Sequence, residues 1–193
     1  MKTRFLAVLL TFVAISTQSQ TLVLKKLKKE LKPLGLQFVM PLGYQVKQTV
    51  HNRDLHYSFA IINSDSTMEI RYSFFPLKPL VIKYKNALKA KKIVTKPDSL
   101  YVGLMKANGM SMTNGIIPKI EEISTDTAKR FNADYAGNSD FEFLCEFGKG
   151  YKYGKFICLH KKSVADVIIT FMSNEKKTLA DLMAISLYAL TFK

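Results

Sequence analysis

The chain has 193 residues, 48% of them hydrophobic and 23% charged, with a formal net charge of +14 at pH 7. This composition excludes a disordered or low-complexity polymer and supplies enough apolar material for one substantial core, so a covalent staple is optional. The positive excess favours acidic partners and repels basic ones.

Residues 1–19 read as a cleavable secretory leader. Lys2 and Arg4 precede the apolar run Phe5–Ile15, and Ser16–Gln20 are small or polar. The run falls well short of the roughly 20 residues needed to span a bilayer, no later stretch is long and apolar enough to do so, and no cysteine follows it to carry a lipid. The expectation is export to a periplasmic or extracellular space as a single globular domain of residues 20–193. Loss of Lys2 and Arg4 takes the charge from +14 to +12.

Residues 22–34 have the pattern of a short amphipathic helix, with Leu24, Leu27, Leu31 and Leu34 on one face, lysines on the other, and Pro33 and Gly35 at its end. Such a helix docks on the domain or, alternatively, lies among anionic headgroups at a membrane surface. Leu36–Met40, Tyr44–Val50, Leu55–Asn63 and Thr67–Phe75 follow as consecutive antiparallel strands separated by turn-forming residues. In the last, Met68, Ile70, Tyr72 and Phe74 alternate with Glu69, Arg71 and Ser73, which predicts one buried and one wetter face. Lys78–Lys96, basic and interrupted by Pro76, Pro79 and Pro97, reads as a surface excursion with a helical turn. Asp98 is placed to cap a helix running to Met112, with Leu100, Leu104 and Met105 inward, although Gly103 and Gly109 weaken it. Ile116–Ser124 reads as a strand or short helix and Arg130–Asp140 as an extended loop. Ala165–Met172 is a strongly apolar strand, Leu179–Ala189 a closing helix and Leu190–Phe192 a final strand.

Cys145 and Cys158 are the only cysteines. Phe141–Phe147 and Phe156–Lys162 read as a hairpin. A turn centred between Tyr151 and Lys152 would set Phe147 opposite Phe156, Cys145 opposite Cys158 and Glu142 opposite Lys161, close enough for a cross-strand disulfide. A turn centred on Gly148 and Gly150 would separate the sulfurs, leaving two reduced cysteines that act as small apolar residues. Both readings stand at this point.

The order of elements, strands then a helix, strands again and a terminal helix, predicts an α+β domain with helices over a mostly antiparallel sheet. The Phe38-Val39-Met40-Pro41 strand, the Phe131-Asn132-Ala133-Asp134-Tyr135 segment, the Tyr151-Lys152-Tyr153 hairpin and the Leu190-Thr191-Phe192 ending resemble exported Bacteroidetes proteins with a PsbP/DcrB-like α/β/α sandwich. The resemblance covers nearly the whole chain beyond the leader. It implies an antiparallel sheet flanked by helices and an accessory or partner-binding role rather than an enzyme, and it carries no binding residue over.

No nucleophile elbow, zinc helix or phosphate-binding loop is present. His51, His56 and His160 are the only histidines, and a Cys158/His160 pair is short of the three or four ligands a zinc site needs, so no metal or cofactor is expected. Among the acids Asp134, Asp140, Glu142 and Glu146, the last two would lie roughly 13 Å apart on one strand face. That exceeds the carboxylate spacing of a glycosidase and leaves cross-strand pairing with lysine as their role. Tyr44, Tyr57, Tyr72, Tyr135, Tyr151 and Tyr153 fit ordinary half-buried sheet positions as well as a groove lining.

Lysines gather at Lys25–Lys32, at Lys78–Lys96 and at Lys149–Lys162. The middle group has no acid, and its Lys83, Lys85, Lys89, Lys91 and Lys92 form the candidate basic contact surface. Lysine without interleaved arginine reads bases poorly, and export leads away from nucleic acid. The sequence therefore predicts a non-enzymatic binding or assembly module for a protein or anionic envelope component. A hydrolase or carbohydrate-active enzyme built from distant residues and a peripheral membrane protein attached through residues 22–34 are the alternatives.

Overall fold

The structure is a computed structural model that describes residues 20–193; the leader expected at 1–19 lies outside the described residues. In chain order the elements are α1 (residues 20–31), β1 (Leu36–Phe38), β2 (Tyr44–Lys47), β3 (Phe59–Asn63), β4 (Met68–Pro76), α2 (Lys78–Lys89), α3 (Tyr101–Met112), β5 (Glu121–Glu122), α4 (Thr125–Arg130), β6 (Tyr135–Glu142), β7 (Tyr153–Lys161), β8 (Ala165–Ser173), α5 (Lys176–Ser186) and β9 (Leu190–Phe192). No helix among the described residues is long and apolar enough to cross a membrane.

Every residue of β8 is buried, which a strand achieves only in the middle of a sheet covered on both faces. The main sheet runs β2-β3-β4-β8-β7-β6-β5, antiparallel throughout. Side chains alternate across it, so Val167, Ile169 and Phe171 face one layer while Ile168 and Met172 face the other. The first layer receives Leu27 and Leu31 of α1, Leu36 of β1, Ala128 of α4, Leu179 of α5 and Leu190 and Phe192 of β9. The second is closed by Met105 and Met112 of α3 together with Leu55, Tyr57 and Phe147 from the long loops. An α+β fold with a large antiparallel sheet flanked by helices results.

The predicted amphipathic helix forms over residues 20–31 and continues into a 3-10 turn at Lys32–Leu34, with Leu27, Leu31 and Leu34 buried. Left-handed Gly35 (φ 64°) ends it, a conformation that only glycine adopts freely.

Several expectations change. β1 does not join the meander; it pairs with β9, Leu36 opposite Phe192. β4 has no wet face: Glu69, Arg71 and Ser73 are all buried, because the second layer covers them. Lys78–Lys96 contains a three-turn helix, α2, with its proline inside the first turn where the missing N–H costs nothing. Residues 130–140 are α4's end and most of β6 rather than a loop. The short β5 is all that forms of the strand or helix expected over Ile116–Ser124. In α3, Gly109 is a packing device, since a Cβ there would sit 2.2 Å from Pro118 Cγ. Leu100 stays half exposed, and Asp98 does not cap the helix.

Candidate functional site

The β6–β7 hairpin decides the fate of the two cysteines. Its register sets Gly137 opposite Cys158 and Glu142 opposite Tyr153, with residues 143–152 forming a long loop that includes a 3-10 turn at Glu146–Gly148. Neither Cys145–Cys158 nor Phe147–Phe156 is a cross-strand pair, and both thiols are free. Burial pushes the Cys158 thiol well above its ordinary range, with Asp166 adding to the effect. Half-covered Cys145 is raised by burial too, despite hydrogen bonds from the Gly148 and Phe147 backbone. Glu142 faces Tyr153 instead of Lys161, and Glu146 lies off the strand in the 3-10 turn.

His160 shares the Cys158 face but is held for structural work. Its Nδ1 lies 2.6 Å from Asp166 Oδ1 and its Nε2 4.0 Å from Asp98 Oδ1, and the Tyr101 ring stacks on it at 4.3 Å. Asp98 also accepts from the Ser163 N–H at 2.6 Å and from its hydroxyl at 3.1 Å. These bonds tie the connection between α2 and α3 to the β7–β8 turn. The adjoining space is only about 10 Å³, no room for a substrate. Among the described residues no group of three or more His, Cys, Asp or Glu is disposed to hold a metal ion.

A second polar cluster lies in the inner layer, on residues the alternating pattern assigned to solvent. Fully buried Glu69 accepts from Lys47 Nζ at 2.5 Å, from Arg71 Nε at 2.6 Å and from the Tyr151 hydroxyl. The Arg71 guanidinium lies 4.7 Å from the centre of each of the Tyr57 and Phe147 rings and donates to the Phe147 carbonyl. The Phe147 N–H in turn donates to Asp54 at 2.7 Å. Burial, and next the Glu69 charge, push the Tyr151 phenol upward. With its bonding capacity taken up internally, this network fastens the β2–β3 and β6–β7 loops to the sheet.

A groove of about 670 Å³ lies between α5 and the β6–β7 strands. Leu179, Met183 and Leu187 form its apolar wall, while Asp140, Glu142, Lys155 and Lys176 bring charge to it. Lys155 Nζ bonds its cross-strand partner Asp140 at 2.8 Å, whereas the lysine pairing expected of Glu142 and Glu146 does not form on the strands, and Lys176 Nζ lies 5.1 Å from the Tyr153 ring centre. Of the acids singled out from sequence, Asp140 and Glu142 meet here. Asp134 is elsewhere, accepting from Lys161 and from the Lys162 N–H.

The basic surface is different in kind. Lys83, Lys85 and Lys89 are exposed on α2, and Lys91 and Lys92 are exposed directly after it. α2 buries no side chain completely. Its Val81, Tyr84 and Ala87 recur every three residues and are half-buried, flanked by Leu80 (45% exposed) and Leu88 (49%). Beyond its end Ile93 is fully exposed and Val94 is 40% exposed. Sequence reading found the lysines and missed this helix. The spacing of Leu80, Val81, Tyr84, Ala87 and Leu88 was the available signal, hidden by reading Pro76 and Pro79 as breakers. Comparison with protein-family models and with curated proteins finds no match for this chain.

Proposed function

We propose that the chain is an exported binding or assembly module, without enzymatic chemistry of its own, that recognises an anionic envelope component through the lysine surface of α2. One observation carries the reading: α2 buries none of its side chains completely, while Lys78–Lys96 contains no acid to neutralise its lysines. A helix kept only for the core would bury its apolar stripe. The leader pattern of residues 1–19 supports a periplasmic or extracellular location, and the two helical layers around an antiparallel sheet agree with what a PsbP/DcrB-like α/β/α sandwich implies. Lysine lacking interleaved arginine suits diffuse anionic surfaces better than base recognition. In the α5 groove the carboxylate of Asp140 is already engaged by Lys155, which counts against a hydrolase using it there.

The test is retention on an immobilised sulfated polysaccharide, eluted with rising salt. Lys83→Gln/Lys85→Gln/Lys89→Gln should elute at lower salt than Lys149→Gln/Lys161→Gln/Lys162→Gln, which has the same net charge. Equal elution would reduce the contact to net charge and refute an α2 site; absence of retention at low salt would refute the charge-led reading altogether.

A further inference from the structure

The lysines of α2 account for attraction to negative charge, but not for the apolar side chains left among them. On a helical projection Leu80, Val81, Tyr84, Ala87 and Leu88 occupy one arc, Lys83 and Lys85 lie just beyond its two edges, and Lys78 and Lys89 lie opposite. The protein half-covers Val81, Tyr84 and Ala87, whereas Leu80 and Leu88 on the same arc stay 45% and 49% exposed, and Ile82, on the opposite side beside Lys89, is 61% exposed. Ile93 and Val94, followed by Lys96, extend the exposed apolar surface past the helix, and Lys91 and Lys92 stand immediately before them. Lys78 Nζ donates to the Pro33 carbonyl at 2.9 Å, which sets the start of α2 against the end of the lysine-bearing α1 segment. The apolar face of α1 is occupied by the core, since Leu27 and Leu31 are buried. The face of α2 is covered only in part.

We propose that residues 78–96 dock on a lipid bilayer bearing anionic headgroups, with Leu80, Leu88, Ile93 and Val94 entering the headgroup boundary and the surrounding lysines meeting the lipid charge. The proposal rests on the anion-binding reading above and gives it a partner. A soluble polyanion needs the lysines and gains nothing from exposed leucine and isoleucine. A bilayer interface offers dense negative charge and an apolar layer a few ångströms below it, the combination that a basic amphipathic helix fits. Lysine stems reach from the apolar boundary to the headgroups without a defined pairing geometry, so the absence of arginine is no handicap.

The chain contains no tryptophan, so Ile93→Trp gives a single fluorescent reporter. With vesicles of phosphatidylcholine and about one-third phosphatidylglycerol its emission should shift to the blue and be quenched by lipids brominated near the headgroup; phosphatidylcholine alone should give neither effect. In the parental background, Leu88→Ser/Ile93→Asn should weaken sedimentation with the anionic vesicles by about 10-fold or more and leave retention on the sulfated polysaccharide unchanged. Each lysine changed to glutamine should cost about fivefold in vesicle partition. Polysaccharide retention without a blue shift would overturn the bilayer proposal and leave the anion-binding reading intact. Failure to bind either support would overturn both. The altered side chains are exposed, and an unchanged thermal midpoint identifies variants that keep the fold.

Discussion

Arg71→Ala should be among the most damaging single substitutions in this protein. Removing the guanidinium leaves the fully buried Glu69 carboxylate with Lys47, whose side chain is 37% exposed, and the Tyr151 hydroxyl. It also empties the slot between the Tyr57 and Phe147 rings and releases the Phe147 carbonyl from its donor. Breaking a buried pair from one side costs about 3–5 kcal/mol. With a urea slope of about 2 kcal/mol/M, the midpoint falls by about 2 M. Equilibrium urea unfolding at pH 7, followed by far-ultraviolet circular dichroism, reads this directly. Glu69→Gln/Arg71→Met, which removes both charges and keeps the volume, should recover more than half of the loss. A midpoint change equivalent to less than about 1 kcal/mol for Arg71→Ala, with an unchanged slope, would refute the claim that this cation is buried and bound.

The two glycines of α3 should respond in opposite directions. Gly109→Ala places a methyl group against the rigid Pro118 ring and should cost about 1–3 kcal/mol, whereas Gly103→Ala points into open space and should stabilise by up to about 1 kcal/mol in the same assay. Thiol titration of the native protein should modify only Cys145, slowly, with Cys158 reacting once denaturant is added; rapid modification of two thiols in native buffer would contradict the burial of Cys158. Cys158, Tyr72 and Tyr151 all hold their protons above their ordinary ranges, chiefly through burial. The unfolded chain therefore releases protons first as pH rises, so this contribution is complete below the ordinary thiol and phenol range and is lost at higher pH. The urea midpoint should decline from pH 8 to pH 11, and a flat profile would count against it.

Periodicity exposed much of the fold because burial on one face leaves an audible pattern in the sequence. The leucines of α1, the strongly apolar β8 and the terminal helix and strand were all legible in this way. Partner choice was not, since nothing in Leu36–Phe38 distinguishes pairing with β2 from pairing with β9 more than 150 residues later. β4 misled for another reason. Glu, Arg and Ser normally mark a solvent face, and only tertiary contacts with Tyr57, Phe147 and Tyr151 make it affordable to bury them. Hairpin register failed because three glycines offered several turn centres, and the structure places an irregular ten-residue connection where a tight turn was expected. At the candidate surface composition located the charge, whereas the half-covered helix beneath it depended on how little of the domain lies over α2.

The β1–β9 ribbon has a kinetic meaning. Its three residue pairs, supplemented by the Lys193 N–H bond to the Gly35 carbonyl, close a loop that encompasses nearly the entire described chain. Such closure is entropically expensive and slow to find. A ribosome or translocase delivering this polypeptide from its amino end would release almost all of it before the last clasp could form. Until then Leu36 and its neighbours would lack their final cover, prolonging the interval in which the nascent molecule remains pliable and open to chaperone capture.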